Sequence, residues 1–207
     1  MIIINFKNYK IGKDVLKLAK HIQRHLPKAT VAVPASYIGY VTFRTKLTVY
    51  AQHVDYQEKG RNTGFLIPEV IKSAGAKGTL LNHSEHKISM KDINKTIKRC
   101  NKLRLRVIAC ASNLREAVQL KKLKPYAIAF EDPKLVGTGR SITRYKTNYL
   151  KKFVSLLKGT KIIPLCGAGI DSKEDYKEAL KLECKGVLIS TIIMKSKNSE
   201  KFLKSFS

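Results

Sequence analysis

Short apolar runs, each bounded by turn-forming residues, recur along the whole chain and predict eight β-strands. The apolar residues within each run are continuous rather than alternating, which is typical of strands buried on both faces, as in a parallel sheet covered by helices. The predicted strands are Ile2-Ile3-Ile4, Val31-Ala32-Val33, Thr48-Val49-Tyr50-Ala51, Thr79-Leu80-Leu81, Arg106-Val107-Ile108-Ala109, Ala127-Ile128-Ala129-Phe130, Ile162-Ile163-Pro164-Leu165 and Val187-Leu188-Ile189.

The segments between these runs have the spacing of amphipathic helices. Val15, Ala19 and Ile22 form one apolar stripe, and the lysines between them are predicted to face water. Two further helices are predicted to follow Ser112 and Ser172, because serine is a favoured N-cap residue. The chain therefore alternates strand and helix from end to end.

Eight strand-helix units in 207 residues leave about 26 residues per unit, which is close to the lower limit for a closed eightfold (β/α)8 barrel. An open doubly wound sheet is the rival architecture, but the glycine-rich fingerprint expected after its first strand is missing. Because no linker or change of composition divides the chain, we expect one α/β barrel domain over residues 1–207.

The chain is strongly basic, with 41 Lys and Arg against 15 Asp and Glu and a formal net charge of +26. A charge of this size raises the possibility of nucleic-acid binding, but the bases are scattered and no aromatic-rich strand accompanies them. We therefore interpret the charge as a solvated basic surface and expect no specific nucleic-acid site.

No apolar stretch approaches the length of a membrane-spanning helix, so we expect a soluble protein with no membrane partner. The four cysteines are far apart and form no Cys-x-x-Cys pair, which favours reduced core thiols over a zinc or redox motif. A cytoplasmic protein is the simplest interpretation.

In a parallel barrel the carboxyl ends of all strands open onto one face, so polar residues that directly follow the strands should share one site. This criterion selects few residues, and they include a lysine, a histidine and two carboxylates. They are Asn5, Lys7, Asn82, His83, Glu85, Glu131, Gly167-Ala168-Gly169, Ser190 and Thr191.

Glu131 follows four uncharged strand residues, and a carboxylate in apolar surroundings becomes a stronger base once ionised. It is a candidate for proton abstraction, with an ordinary solvated loop glutamate as the alternative. His83 has a structural histidine as its alternative. His83 and His86 lie three residues apart but lack a third ligand, so we expect no metal site, and we interpret His53 as structural.

Three loops offer backbone N–H groups that are suited to an anion, because glycine permits close approach of the chain and a helix start adds partial positive charge. They are Gly137-Thr138-Gly139, Gly167-Ala168-Gly169 and the Ser190-Thr191 pair. Each is a weak signal alone, but three such loops on one rim predict a substrate that carries phosphate.

Four motifs together resemble the triosephosphate isomerase family, and the short archaeal branch is the most similar. The resemblance runs from Ile3 to about Lys197 with the motifs in the family order. The motifs are Asn5-Phe6-Lys7-Asn8-Tyr9, Asn82-His83-Ser84-Glu85, Phe130-Glu131-Asp132-Pro133 with Val136-Gly137-Thr138-Gly139, and Cys166-Gly167-Ala168-Gly169-Ile170.

The resemblance implies a TIM barrel that interconverts dihydroxyacetone phosphate and D-glyceraldehyde 3-phosphate, a step of glycolysis and gluconeogenesis, without a cofactor or metal. It implies that Glu131 moves the proton, that His83 is a neutral electrophile, and that Lys7 supplies positive charge. Asn5 would contact the substrate. The phosphate would be bound by Val136 and Gly137 of a closing loop, joined by Gly169, Ser190 and Thr191.

The sequence also departs from the family pattern. Asp132 replaces the proline that usually follows the catalytic glutamate, which is expected to loosen the first hinge of the closing loop. Ser190-Thr191-Ile192 replaces a turn of small residues, and Arg140 after the loop is atypical. These departures bear on loop closure and affinity more than on the type of reaction.

Asn62-Thr63-Gly64 resembles the tip of the loop that inserts into a neighbouring subunit in this family, so Thr63 is expected near a subunit interface. The resemblance implies a homodimer or homotetramer. Two alternatives remain open from the sequence: a barrel enzyme acting on another sugar phosphate, and a non-catalytic basic barrel that binds nucleic acid.

Overall fold

Eight parallel strands form a closed barrel in the computed structural model, which describes residues 1–135, 138, 141–195 and 199–206. Each strand pairs with the next along the chain, and the first pairs with the last. The strands are β1 (Ile2–Asn5), β2 (Thr30–Val33), β3 (Thr48–Ala51), β4 (Gly78–Leu81), β5 (Arg106–Ala111), β6 (Ala127–Phe130), β7 (Ile163–Cys166) and β8 (Val187–Ile189).

The helices lie outside the barrel; α1 to α8 connect consecutive strands, and α9 and α10 follow β8. They are α1 (Lys13–His25), α2 (Ile38–Thr42), α3 (Pro68–Ser73), α4 (Met90–Lys102), α5 (Leu114–Lys122), α6 (Ile142–Tyr145), α7 (Thr147–Leu157), α8 (Lys173–Lys181), α9 (Thr191–Met194) and α10 (Ser199–Lys204), with a short 3₁₀ turn at Ala35–Tyr37.

Two apolar layers explain why the strands have no polar face. Alternate strand residues such as Ile3, Leu80 and Leu165 point into the barrel and fill its centre. Their neighbours, such as Ile4 and Leu81, point outwards and pack against the helices. Each strand is therefore covered on both sides, as the continuous apolar runs predicted.

The structure confirms the eight predicted strands and the closed barrel, and the rival open sheet is wrong because β8 pairs with β1. The strand ends differ by one or two residues: β5 continues to Ala111, and β7 begins at Ile163. Ser172 caps its helix as predicted, but Ser112 does not, because the Asn113 side chain accepts the N–H of Glu116.

All four cysteines are buried and free, in agreement with the prediction of reduced core thiols. No helix within the described residues is long and apolar enough to cross a membrane.

Candidate active site

The carboxyl ends of the strands bring the predicted polar residues to one end of the barrel. Seven of the nine predicted site residues line a single cavity there, and the other two, Val136 and Gly137, lie outside the described residues. The lining consists of Asn5, Lys7, His83, Glu131, Gly167, Gly169, Ile170, Asp171, Leu188, Ile189, Ser190 and Thr191.

Glu131 follows β6 and is buried, with only 2% of its surface exposed, which excludes an ordinary solvated loop glutamate. Its backbone N–H donates to the Ala111 carbonyl, continuing the ladder to β5. Burial raises the pKa of the carboxyl to about 8, while the positive charge of Lys7 opposes that shift. A deprotonated Glu131 is therefore a strong base that faces the cavity.

The absence of a side chain at Gly167 leaves space for the Glu131 carboxylate. A Cβ atom at position 167 would lie 2.6 Å from Cγ of Glu131. Any larger residue would displace the glutamate, so the glycine after β7 is required by close packing and not by a turn.

His83 lies just beyond β4 and is buried. Its ring lies between Glu85 on one side and Glu131 on the other. Its Nδ1 accepts the backbone N–H of Glu85 at 3.2 Å, and its Nε2 lies 3.6 Å from Oε2 of Glu131. Burial, and after it the charge of Lys7, lowers the pKa of the imidazole to about 4. The ring is therefore neutral at pH 7, and because Nδ1 is an acceptor its hydrogen is on Nε2, towards the cavity.

Asn82, the neighbour of His83, was also selected by its strand-end position but does not line the cavity. Its side chain donates to the Cys110 carbonyl at 2.9 Å and to Glu116 at 2.6 Å, and its Oδ1 accepts the N–H of Ile88 at 3.2 Å. The backbone of Asn82 has φ 60°, a left-handed conformation that asparagine tolerates. Asn82 therefore fixes the segment that carries His83.

Lys7 enters the cavity from the segment after β1. Its ammonium pairs with Oε1 of Glu85 at 2.5 Å, and only 11% of its side chain is exposed. The sequence identified Glu85 only as a strand-end residue and assigned it no role. The Glu85 carboxylate accepts from the Lys7 ammonium, and the Glu85 backbone N–H donates to Nδ1 of the His83 ring, so one residue orients two cavity side chains.

Gln52, directly after β3, orients the same corner and was missed in the sequence. Its amide donates to the Lys7 carbonyl at 2.9 Å and to Oδ1 of Asn5 at 3.3 Å. The Asn5 side chain also accepts the backbone N–H of Lys7 at 2.9 Å. These bonds hold Lys7 at φ 45°, a conformation that is unfavourable for lysine. The signal was present, since Gln52 is a polar residue at the end of an apolar strand.

The rest of the cavity lining comes from β8 and from the segments that follow β7 and β8. Gly169 has φ 64°, which glycine adopts without strain. Ser190 precedes α9, and its hydroxyl is buried without a hydrogen-bond partner among the described residues. Asp171, which the sequence did not single out, also lines this part of the cavity, and burial and Asp175 raise the pKa of its carboxyl.

Asp132 does not behave as expected from the sequence, where it was predicted to loosen the segment after Glu131. Its carboxylate accepts the N–H of Lys134 at 2.9 Å and pairs with Lys146 at 2.5 Å. The ion pair therefore links the start of the segment after Glu131 to Lys146, the residue that precedes α7. Gly139 and Arg140, which the sequence also noted, lie outside the described residues.

His53 and His86 lie beside the cavity and do not line it. His53 accepts or donates a bond to Asp55 at 3.1 Å and stacks on His86 with ring centroids 4.2 Å apart. Burial lowers the pKa of His53. Within the described ranges no group of three or more His, Cys, Asp or Glu residues could hold a metal ion.

Comparison with known proteins gives one consistent family. The family model described as triosephosphate isomerase matches residues 1–206. The triosephosphate isomerase of Metallosphaera sedula is 38% identical and that of Sulfolobus acidocaldarius 36%, with all of this chain and 93% of each relative covered. That of Methanocaldococcus jannaschii is 34% identical, with 99% of this chain and 97% of the relative covered.

A solved structure supports the fold. The crystal structure of triosephosphate isomerase from Bartonella henselae matches with a TM-score of 0.77 at 16% sequence identity, and the match covers 99% of this chain and 96% of that one.

Proposed function

This chain belongs to the triosephosphate isomerase family, and we propose that it interconverts dihydroxyacetone phosphate and D-glyceraldehyde 3-phosphate with Glu131, His83 and Lys7 as its catalytic residues. The reaction is an aldose-ketose isomerisation, a step of glycolysis and gluconeogenesis. The observation that carries the assignment of residues is the single cavity that all three side chains line.

Glu131 is the proposed base. It removes a proton from C1 of dihydroxyacetone phosphate, which gives an enediolate. The proton then returns to C2 while the hydroxyl proton passes from O1 to O2, which forms the aldehyde. Its burial supports this role, because a carboxylate withheld from water holds a proton more tightly and moves it with less solvent rearrangement. Glu131 is regenerated at the end of each turnover, so no external reactant is needed.

His83 is the proposed electrophile. A glutamate base and a neutral histidine are the pair for which this enzyme family is known. The acceptor bond at Nδ1 supports the role here, because it places the ring hydrogen on Nε2, on the side of the ring nearest Glu131. From there it donates to the substrate oxygen on which negative charge develops.

Lys7 supplies the positive charge that stabilises the enediolate, and Asn5 contacts the substrate beside it. The ammonium is largely withdrawn from water, so its attraction for the developing charge is less screened than on a surface. The partnership with Glu85 is expected to orient the ammonium without consuming its three donors.

The phosphate group is proposed to bind at the other side of the cavity, to Gly169, Ser190 and Thr191. The unpartnered Ser190 hydroxyl supports this, because a buried polar group without a partner among the described residues is costly and phosphate oxygens would satisfy it. Val136 and Gly137 are proposed to complete the site when the loop after Glu131 closes and excludes water from the enediolate.

An isomerase assay coupled to consumption of the triose product tests the assignment. Glu131→Gln keeps the shape of the side chain but removes the base, so we expect turnover to fall by about 10²- to 10⁴-fold. Glu174→Gln, an exposed position on α8, is the control and should retain full activity. An unchanged rate in Glu131→Gln, or turnover of other sugar phosphates with none of the trioses, would refute the proposal.

We further propose that the chain forms a homo-oligomer in which Thr63 lies at the subunit interface. Thr63 is exposed in the segment between β3 and α3, and Phe65 in the same segment is 49% exposed. In the segment between β1 and α1, Tyr9 is 41% exposed and Ile11 is 72% exposed. Large apolar groups left in water on the rim of a site are typical of a covered surface.

Sedimentation analysis tests the interface. Phe65→Asp should shift the mass towards the monomer, whereas Phe43→Asp, a change of another exposed phenylalanine outside these two segments, should not. A wild-type chain that sediments as a monomer at micromolar concentration would contradict the proposal.

The cellular setting and the domain boundary follow as smaller proposals. Four free, buried thiols suit a reducing compartment, and we place the protein in the cytoplasm. One barrel domain accounts for residues 1–207. Reaction of the unfolded chain with a thiol reagent after isolation under non-reducing conditions should count four free cysteines.

A further inference from the structure

An apolar groove lies at the end of the barrel opposite the catalytic cavity. It is bounded by the last turns of α5 and α7 and by the residues that lead into β6 and β7, where the strands begin. Its volume is about 870 Å³, within the range of about 300 to 1,000 Å³ that is usual for small-molecule sites. It shares no residue with the catalytic cavity.

The floor of the groove is made of apolar side chains that are partly exposed to solvent. Val118 is 41% exposed, and Leu156 and Tyr126 are half-buried beside it. Pro125 and Ile162 complete the apolar lining. Covering apolar surface contributes about 25 cal/mol per Å², so an apolar occupant of this groove would bind favourably.

The rim of the groove carries four cations, Lys121, Lys122, Lys124 and Lys161. Within the described ranges none of the four lies in an ion pair, and the lining includes no carboxylate. The neighbouring Lys158, by contrast, pairs with Glu183 at 2.8 Å. The groove therefore combines an apolar floor with unneutralised positive charge.

We propose that this groove binds a long-chain carboxylate, with the alkyl chain along Val118, Leu156 and Ile162 and the carboxylate among the rim lysines. An apolar chain satisfies the floor without adding groups that need hydrogen bonds. One carboxylate at the edge of the groove meets several lysines, which attract anions as point charges and do not require a fixed geometry.

The charge and shape of the groove disfavour the other occupants. The interface between copies proposed above lies around Thr63, in the segment that follows β3 at the other end of the barrel, and a second copy seated on the groove would have to neutralise four lysines with a surface drawn from 41 basic and 15 acidic residues. A membrane surface needs protruding apolar side chains, whereas these line a concave surface. An extended peptide would bury backbone N–H and C=O groups against an apolar floor that offers them few partners.

Isothermal titration calorimetry with sodium decanoate, below its micelle concentration and at low salt, tests the proposal. We expect saturable binding of one decanoate per chain. Adding methylenes to the ligand should tighten binding about three- to fourfold for each one until the groove is filled. Decanol, which lacks the charge, should bind more weakly, and added salt should weaken decanoate more than decanol.

Two variants locate the site. Val118→Glu places a negative charge on the floor and should weaken decanoate binding at least tenfold. Leu180→Glu makes the same kind of change at a side chain that is 40% exposed on α8, outside the groove, and should leave binding unchanged. The double variant Lys121→Gln, Lys161→Gln should weaken binding severalfold and reduce its salt dependence. Isomerase activity, measured for every variant, reports that the barrel is intact.

Several outcomes would overturn the proposal. They are the absence of saturable decanoate binding, equal loss in Val118→Glu and Leu180→Glu, and binding to anionic vesicles or an acidic peptide in place of the monomeric carboxylate. A smaller assembly caused by Val118→Glu, with no decanoate bound by the wild type, would identify the groove as an interface between copies. None of these results bears on the catalytic cavity, so the proposed isomerase activity stands or falls separately.

Discussion

On the proposed catalytic side of the cavity (Lys7, His83 and Glu131), two of the three side chains are held by Glu85, whereas on the proposed phosphate side (Gly169, Ser190 and Thr191) the one buried hydroxyl, that of Ser190, is held by no other group in the described part of the chain. Among the described residues Oε2 of Glu131 is likewise buried without a hydrogen-bond partner. Lys7 pairs with Glu85, and the Glu85 N–H fixes His83. On the phosphate side, Gly169 contributes only backbone, and the buried Ser190 hydroxyl has no partner among the described residues.

This difference fits two different proposed roles, proton transfer on one side and phosphate binding on the other. Proton transfer needs groups that are already in place, because any rearrangement during the reaction adds to the barrier. Phosphate binding instead supplies energy when the substrate arrives, so polar groups that are unsatisfied in the free protein are useful there. Substitutions on the catalytic side should therefore lower kcat, and those on the phosphate side should raise KM.

Among the substitutions that compare the two sides of the cavity, Lys7→Met should lower kcat/KM the most. It removes the positive charge and leaves Glu85 without its partner, so we expect kcat/KM to fall by roughly 10²- to 10³-fold, mainly through kcat. Lys10→Met, three residues along and outside the cavity lining, is the matched control. Equal losses in both variants would mean that general basicity, and not Lys7, matters.

The pH dependence should report the buried carboxyl. Because Glu131 must be ionised and its pKa is about 8, kcat/KM should rise with pH towards a midpoint near that value. The pKa of His83 is lowered, so the neutral ring should add no inflection near pH 6.5. A profile that is flat from pH 6 to pH 9 would contradict the buried base.

Stability should change with pH in the opposite sense. The folded protein keeps a proton on Glu131 up to about pH 8, whereas the unfolded chain releases it above about 4.5. This contribution to the free energy of unfolding is therefore complete below pH 4.5 and is lost as the pH rises towards 8. Between these two pH values the folding equilibrium constant falls by up to about tenfold for each pH unit. Urea unfolding of Glu131→Gln should lack this decline, and an identical decline in the variant would assign it to other groups.

Ser190→Ala tests the phosphate side and should have a smaller effect. Loss of one hydrogen bond to the substrate should raise KM roughly twofold to tenfold with kcat little changed. The same variant should unfold at a higher temperature, because a buried hydroxyl with no partner among the described residues has been removed. Ser155→Ala, exposed on α7, is the control. A fall in kcat with an unchanged KM would place Ser190 on the catalytic side.

Asp132→Asn should give the smallest change. It breaks the pair with Lys146, whose side chain is 36% exposed, so solvent screens the interaction and its loss should cost little. We expect kcat/KM to fall by less than about fivefold and to become less sensitive to salt. Glu183→Gln breaks the exposed pair with Lys158 far from the cavity and should do nothing to activity. Equal effects of the two variants would show that the Asp132 pair has no special part in the reaction.

The fold could be predicted closely from the sequence because the barrel buries both faces of every strand. Continuous apolar runs bounded by turn residues are typical of such strands, and the run from Ala127 to Phe130 coincides with β6 at both ends. The cap of α5 could not be chosen with the same certainty. Ser112 and Asn113 are adjacent and both are favourable caps, and in the structure the Asn113 side chain accepts the N–H of Glu116.

The convergence of Lys7, His83 and Glu131 on one cavity was also predictable, since each lies at the carboxyl end of a predicted strand. The residues that orient them were harder to find. Gln52 and Glu85 act through contacts with segments 45 and 78 residues away in the chain, which no local pattern reveals. The phosphate side is the least predictable because any residue other than proline carries a backbone N–H, so sequence shows where glycines lie but not where their amides point.

Exchange of hydrogen with solvent tests the central claim most directly, because it follows the proton that Glu131 is proposed to carry. Dihydroxyacetone phosphate would be incubated in D₂O with the wild type and with Glu131→Gln, and deuterium in the trioses measured by ¹H NMR. We predict deuterium at the carbon adjacent to the carbonyl with the wild type, and a loss of at least about 100-fold in its rate with the variant. Exchange at the wild-type rate in Glu131→Gln would show that another group moves the proton.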